Sequence, residues 1–180
     1  MNQKRYAGNV ELGAVILIPT GSKSWAVGWV LAVERSKFWM GVMNFTIASP
    51  DKLEDSNISS TNMLAMFLTL DHSLLDDSWS LLDMVIPPRG GIHFPIFKLD
   101  NGPKGFWLTN YLGGYVRQIT EGDSLLLEFR STYSSYAVES IVDRLVAQRD
   151  VSEQDKVCLY TEILRRRALF TNATSLPPLQ

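Results

Sequence analysis

Between Gly13 and Thr46 three apolar segments rich in β-branched and aromatic residues follow one another, separated only by the short polar breaks Thr20-Gly21-Ser22-Lys23-Ser24 and Arg35-Ser36. Breaks of that length carry turn chemistry and leave no room for a crossover, so neighbouring segments pair antiparallel. The first, Gly13 to Pro19, is a strand stopped by proline. In the second, Trp25 to Glu34, alternation places Trp25, Val27, Trp29, Leu31 and Val33 on one face and Ala26, Gly28, Val30 and Ala32 on the other. A bulky face thus backs onto a small one. The third, Lys37 to Thr46, puts Trp39, Gly41, Met43 and Phe45 on one side. The pattern predicts a three-stranded antiparallel meander.

Downstream, Ser49 to Thr61 is rich in turn formers and nearly free of large apolar groups, which predicts a long exposed loop. Met63 to Leu70 fits a strand or a short helix and is read as a strand. An acidic connector, Asp71 to Ser78, leads to a further strand over Trp79 to Ile86, closed by Pro87-Pro88-Arg89-Gly90-Gly91. Four short segments, His93 to Leu99, Phe106 to Tyr111, Tyr115 to Ile119 and Ser124 to Phe129, would bring the strand count to eight or nine. From Ser134 the period changes: Ala137, Val138, Ile141, Val142, Leu145 and Val146 form a helical stripe that docks on the sheet. Ser152-Glu153-Gln154-Asp155 reads as a capping box opening a second helix, with Val157, Tyr160, Leu164 and Ala168 on one side. The expected fold is α+β, a mainly antiparallel twisted sheet or partly open barrel with two C-terminal helices. Residues 1–170 make one β-rich domain and residues 171–180 a flexible tail, the break at Arg149-Asp150 being the one candidate boundary.

With 46% hydrophobic and 20% charged residues in 180, the chain has the composition of a protein that packs a core without staples. A net charge of -2 gives no overall attraction to nucleic acid or to an anionic membrane. Asn9 and Glu11 interrupt the start where a secretion signal would need an apolar run, so none is expected. The longest apolar runs fall far short of the ~20 residues that cross a bilayer. One cysteine cannot form an internal disulfide, and a reducing, cytoplasmic location is expected.

No constellation of catalytic residues stands out. His72 and His93 are isolated, and Cys158 has no Cys or His within a helical turn, so neither metal nor cofactor is expected. Cys158, between Val157 and Leu159, reads as a buried thiol inside the second helix, without the base that nucleophilic chemistry requires. Gly90-Gly91 and Gly113-Gly114 lack the spacing of a phosphate loop and read as turns. Arg165-Arg166-Arg167 falls late in a helix, where cations offset the macrodipole. The tryptophans sit at strand positions and read as core.

The run Gly13-Ala-Val-Ile-Leu-Ile-Pro19, a glycine turn and Trp25-Ala-Val-Gly28-Trp-Val30 together resemble the opening of the immunity protein 26 family of bacterial polymorphic toxin systems. Asp77-Ser78-Trp79-Ser80-Leu81-Leu82 looks like that family's tryptophan strand and Phe94-Pro95-Ile96-Phe97-Lys98 like its proline-containing segment, so the resemblance covers roughly Leu12 to Leu145. It implies a non-enzymatic protein that binds and neutralises a cognate toxin domain. Were that toxin a nuclease, its cationic groove would call for an acidic partner surface. Asp51, Glu54 and Asp55 in the long loop, with Asp71, Asp76 and Asp77 in the connector, are the candidate binding residues. Two alternatives stand beside this expectation: a nucleic-acid-associated β-barrel module using the arginine run and aromatic platforms, and a small enzyme with a site built from distant carboxylates.

Overall fold

A computed structural model describes residues 10–21, 23–70, 74, 78–88, 90–148 and 151–170. The predicted meander is its centre. Strands β1 (Ala14–Pro19), β2 (Trp25–Glu34) and β3 (Lys37–Ile47) pair in sequence order, and β4 (Met63–Leu70) joins on the outside of β3. β5 (Ser80–Met84) returns to the opposite edge beside β1, giving the order β4-β3-β2-β1-β5 with every pairing antiparallel. The β1–β2 register runs from Val15 opposite Trp29 to Pro19 opposite Trp25, with Lys23 at φ 60° in the turn between them.

Alternation in β2 sorts the core into two layers. On the small-residue face Ala26 and Val30 pack with Val138, Ile141, Val142 and Leu145 of α2 (Ser135–Val146), the predicted stripe. Gly28 lets Met40 lie flat beneath the helix, since a Cβ there would come within 2.5 Å of Met40 Sδ. The Ser134 hydroxyl caps α2 by accepting from the Ala137 N–H at 3.2 Å. On the bulky face Val27, Trp29 and Leu31 pack with Trp39, Met43, Ile92 and Phe94. Burial on both faces is why these strands read as nearly continuous apolar runs.

A second, three-stranded antiparallel sheet contains β6 (Phe97–Asp100), β7 (Phe106–Thr109) and β8 (Tyr115–Gln118) in that order. Both sheets remain open, so the fold is α+β with no barrel. The expected strand at Ser124 to Phe129 does not form. Thr120 and Asp123 make a capping box that starts a single helical turn, α1 (Glu121–Ser124), and the chain leaves it with Leu125 and Leu126 exposed and Leu127 buried. That pattern lacks the two-residue period a strand needs. Leu127 instead closes a small core with Ile96, Leu108, Ile119 and Phe170.

The second C-terminal helix is also not continuous. The capping box at Ser152 exists, yet it opens only α3 (Glu153–Lys156), after which Cys158 C=O accepts from Met66 N–H of β4 at 2.8 Å. Helix resumes as α4 (Tyr160–Phe170), burying Tyr160 as expected, but with Ile163 and Phe170 in place of Leu164 and Ala168. Leu164 faces solvent. The Arg149-Asp150 break and the tail from Thr171 lie outside the described residues. Among the described residues no helix is long and apolar enough to cross a membrane.

Candidate functional site

Two features project function from this frame, an acidic loop on β3–β4 and a cleft along the free side of β4. The loop is more ordered than its turn-rich sequence suggests. Three single turns of 3-10 helix, at Pro50–Lys52, Asp55–Asn57 and Ser60–Asn62, follow one another. Leu53 and Ile58 point inward onto the bulky-face core, and Asn62 Nδ2 donates to Asn57 C=O at 2.9 Å. Pinned in this way, the loop holds Asp51, Glu54 and Asp55 in solvent. The Ser49 hydroxyl donates to Asp51, and none of the three carboxylates has a cationic partner among the described residues. The other three candidate acids, Asp71, Asp76 and Asp77, lie outside the described residues, as does His72.

The cleft forms where two short segments cover the β4 edge without meeting. Tyr133 N–H donates to Leu68 C=O at 2.8 Å on one side, and the Cys158–Leu159 break pairs with Ala65 and Met66 on the other. Between them lies about 530 Å³ of space opening to solvent. Trp39, Met66, Leu68, Ile96, Phe97 and Ile163 make the apolar wall, and Phe129, 51% exposed, stands at the rim. Glu128, Ser131, Tyr133, Cys158 and Arg166 supply the polar groups.

Each of those polar groups is already engaged or neutral. The Cys158 thiol donates to the Tyr133 hydroxyl at 3.1 Å, and burial pushes the thiol up to about 11 and the phenol well above its ordinary range. Both therefore keep their protons near neutral pH, and the thiol is no nucleophile there. Arg166 Nε donates to Glu162 at 2.7 Å and its Nη1 lies 3.6 Å from Glu128. Arg165 donates twice to Glu162, which those bonds hold down to about 2. Arg167 donates to Phe94 C=O at 2.8 Å, and burial lowers its guanidinium. The arginine run is thus spent on intramolecular bonds rather than displayed as a basic patch.

His93 and the tryptophans are the other residues singled out by sequence. His93 is exposed, and its N–H donates to the Tyr160 hydroxyl at 3.0 Å. Trp29 and Trp39 are buried, and the Trp79 indole donates to Glu139 at 2.7 Å. Among the described residues no three His, Cys, Asp or Glu stand close enough to hold a metal ion. The cleft escaped the sequence reading because its walls come from five separated stretches. Its one local signal was the apolar triplet Val157-Cys158-Leu159 a few residues past a helix cap. No protein-family model matches this chain, and neither does any curated protein or solved structure.

Proposed function

We propose that this protein is an immunity protein that neutralises a bacterial toxin domain in the cytoplasm by binding it, without catalysis, and that the loop between β3 and β4 carries part of the binding surface. The observation that supports this best is the construction of the loop: Leu53 and Ile58 anchor it while Asp51, Glu54 and Asp55 stand outward without cationic partners among the described residues. A surface already held in shape loses little conformational entropy on association. Unpaired carboxylates steer and orient a cationic partner, and a nuclease groove that grips phosphate is such a partner. The resemblance from Leu12 to Leu145 supplies the partner class. A protonated Cys158 favours binding over chemistry.

Co-expression tests the reading. The protein encoded immediately upstream should end in a toxin domain that arrests growth, and this chain should restore growth and co-purify with that domain in a 1:1 complex. Arrest that this chain leaves unrelieved contradicts the reading, and salt-sensitive binding to random DNA in place of the toxin domain would support the nucleic-acid alternative.

A further inference from the structure

The cover over the β4 edge has a gap one residue wide. Met66 N–H donates to Cys158 C=O and Leu68 C=O accepts from Tyr133 N–H, both at 2.8 Å, so these two residues direct their main-chain groups away from β3. The N–H and C=O of a strand residue leave the chain on the same side. Met66 C=O and Leu68 N–H therefore face the cleft too, and neither has a hydrogen-bond partner among the described residues. The neighbours that could have met them turn elsewhere. Cys158 N–H donates to Asp155 C=O at 3.1 Å, and Ser131, two residues before the Tyr133 bridge, has left the ladder with its hydroxyl 3.4 Å from Phe129 C=O.

An acceptor on one residue and a donor two residues on are what a single residue of a parallel strand requires: its N–H meets the first and its C=O the second. Tyr133 already pairs with β4 in this parallel sense, bridged to Thr69. Ile96, Phe97, Ile163 and the exposed ring of Phe129 give a side chain an apolar seat. The charged residues lining the cleft, Glu128 and Arg166, lie 3.6 Å apart, and Arg166 is also paired with Glu162. The seat therefore favours an uncharged side chain.

We propose that the cleft receives one extended residue of a partner polypeptide, running parallel to β4, with its N–H on Met66 C=O, its C=O on Leu68 N–H, and an uncharged aliphatic or aromatic side chain against Phe129 and Ile163. This deepens the binding reading and rests on it for the partner, giving the protein a second anchor point away from the acidic loop.

The test needs no toxin. N-acetyl-leucine N′-methylamide, which carries one neutral residue between two peptide groups, is titrated into isotope-labelled protein and followed by amide chemical shifts. Saturable shifts at Leu68, Ser131 and Cys158 are expected, with a Kd of about 1 mM for so small a ligand. The corresponding glutamate and lysine derivatives should bind at least tenfold more weakly, and Ser131→Trp, at an exposed position on the rim, should abolish the shifts while leaving the remaining spectrum unchanged. An unmoved Leu68 amide at tenfold the expected Kd overturns the proposal, as does full binding by folded Ser131→Trp. Shifts at the same amides on concentrating the protein alone would make a second copy the occupant and overturn the assignment to a partner. Because the probe and readout involve no toxin, failure of toxin binding leaves this result standing, and failure here leaves the acidic loop as the binding surface.

Discussion

At Asp155 one buried carboxylate serves both a helix start and an ion pair. Its Oδ2 accepts from Arg144 Nε and Nη2 at 3.0 and 2.8 Å and from the Ser152 N–H at 3.3 Å, while its own N–H donates to the Ser152 hydroxyl. Burial alone would raise this carboxyl, but the bonds from Arg144 and Ser152 together bring it below its ordinary value. Asp155→Ala removes half of the capping box and leaves Arg144 without its acid, so urea unfolding should show a loss of about 2 kcal/mol. Cys158 contributes at the alkaline end in a different way. Its thiol is raised from 9.0 to about 11, mainly by burial, so the folded state favours the protonated form. That contribution is complete below the unfolded value and is lost as pH rises from 9 through 11. Cys158→Ser should flatten this part of the stability profile, and iodoacetamide should modify wild-type Cys158 slowly until denaturant is added. Glu162 acts at the acid end. Bonds from Arg165 hold it near 2, so its stabilising contribution is present above 4.5 and falls away as pH drops toward 2.

Among the elements, α4 separates what the sequence could say from what the fold decides. Its observed inward residues are Tyr160, Ile163 and Phe170, whereas the sequence stripe pointed to Val157, Tyr160, Leu164 and Ala168. Thermal unfolding can tell the two phases apart: Ile163→Ala should cost about 3 kcal/mol as a core truncation, and Leu164→Ala less than about 0.5 kcal/mol. The strands of the meander were legible because alternation and turn residues within each segment settle them locally, and β2 has the predicted bounds. The change of period at Ser134 and the capping box at Ser152 were legible for the same reason. The break at Cys158 was not, since its cause is Met66 N–H on a strand more than ninety residues earlier. Ser124 to Phe129 misled for a related reason: the Thr120–Asp123 box turned the chain before any strand could begin. The acidic loop was predicted as exposed, but its three helical turns and its inward Leu53 and Ile58 become visible only against the sheet they pack on.

For the whole molecule, the C-terminal pieces complete the sheet rather than decorate it. Tyr133 and the Cys158–Leu159 break cover the β4 edge, which would otherwise offer unpaired main-chain groups for aggregation. Ending the chain after Asp150 removes half of that cover together with Tyr160 and Ile163, so the truncated protein should lose cooperative unfolding and aggregate. Full thermal stability in that truncation would show that α3 and α4 lie outside the folding unit. The acidic loop joins β3 to the start of β4, and on that loop the functional account depends. Calorimetry with the toxin domain encoded upstream tests it most directly, comparing wild type with Asp51→Ala, Glu54→Ala and Asp55→Ala combined, after circular dichroism confirms the fold. The account predicts 1:1 binding that the triple variant weakens at least tenfold, with association slowed by added salt and a Lys4→Ala, Lys23→Ala control unchanged. Equal affinity in wild type and triple variant would contradict it.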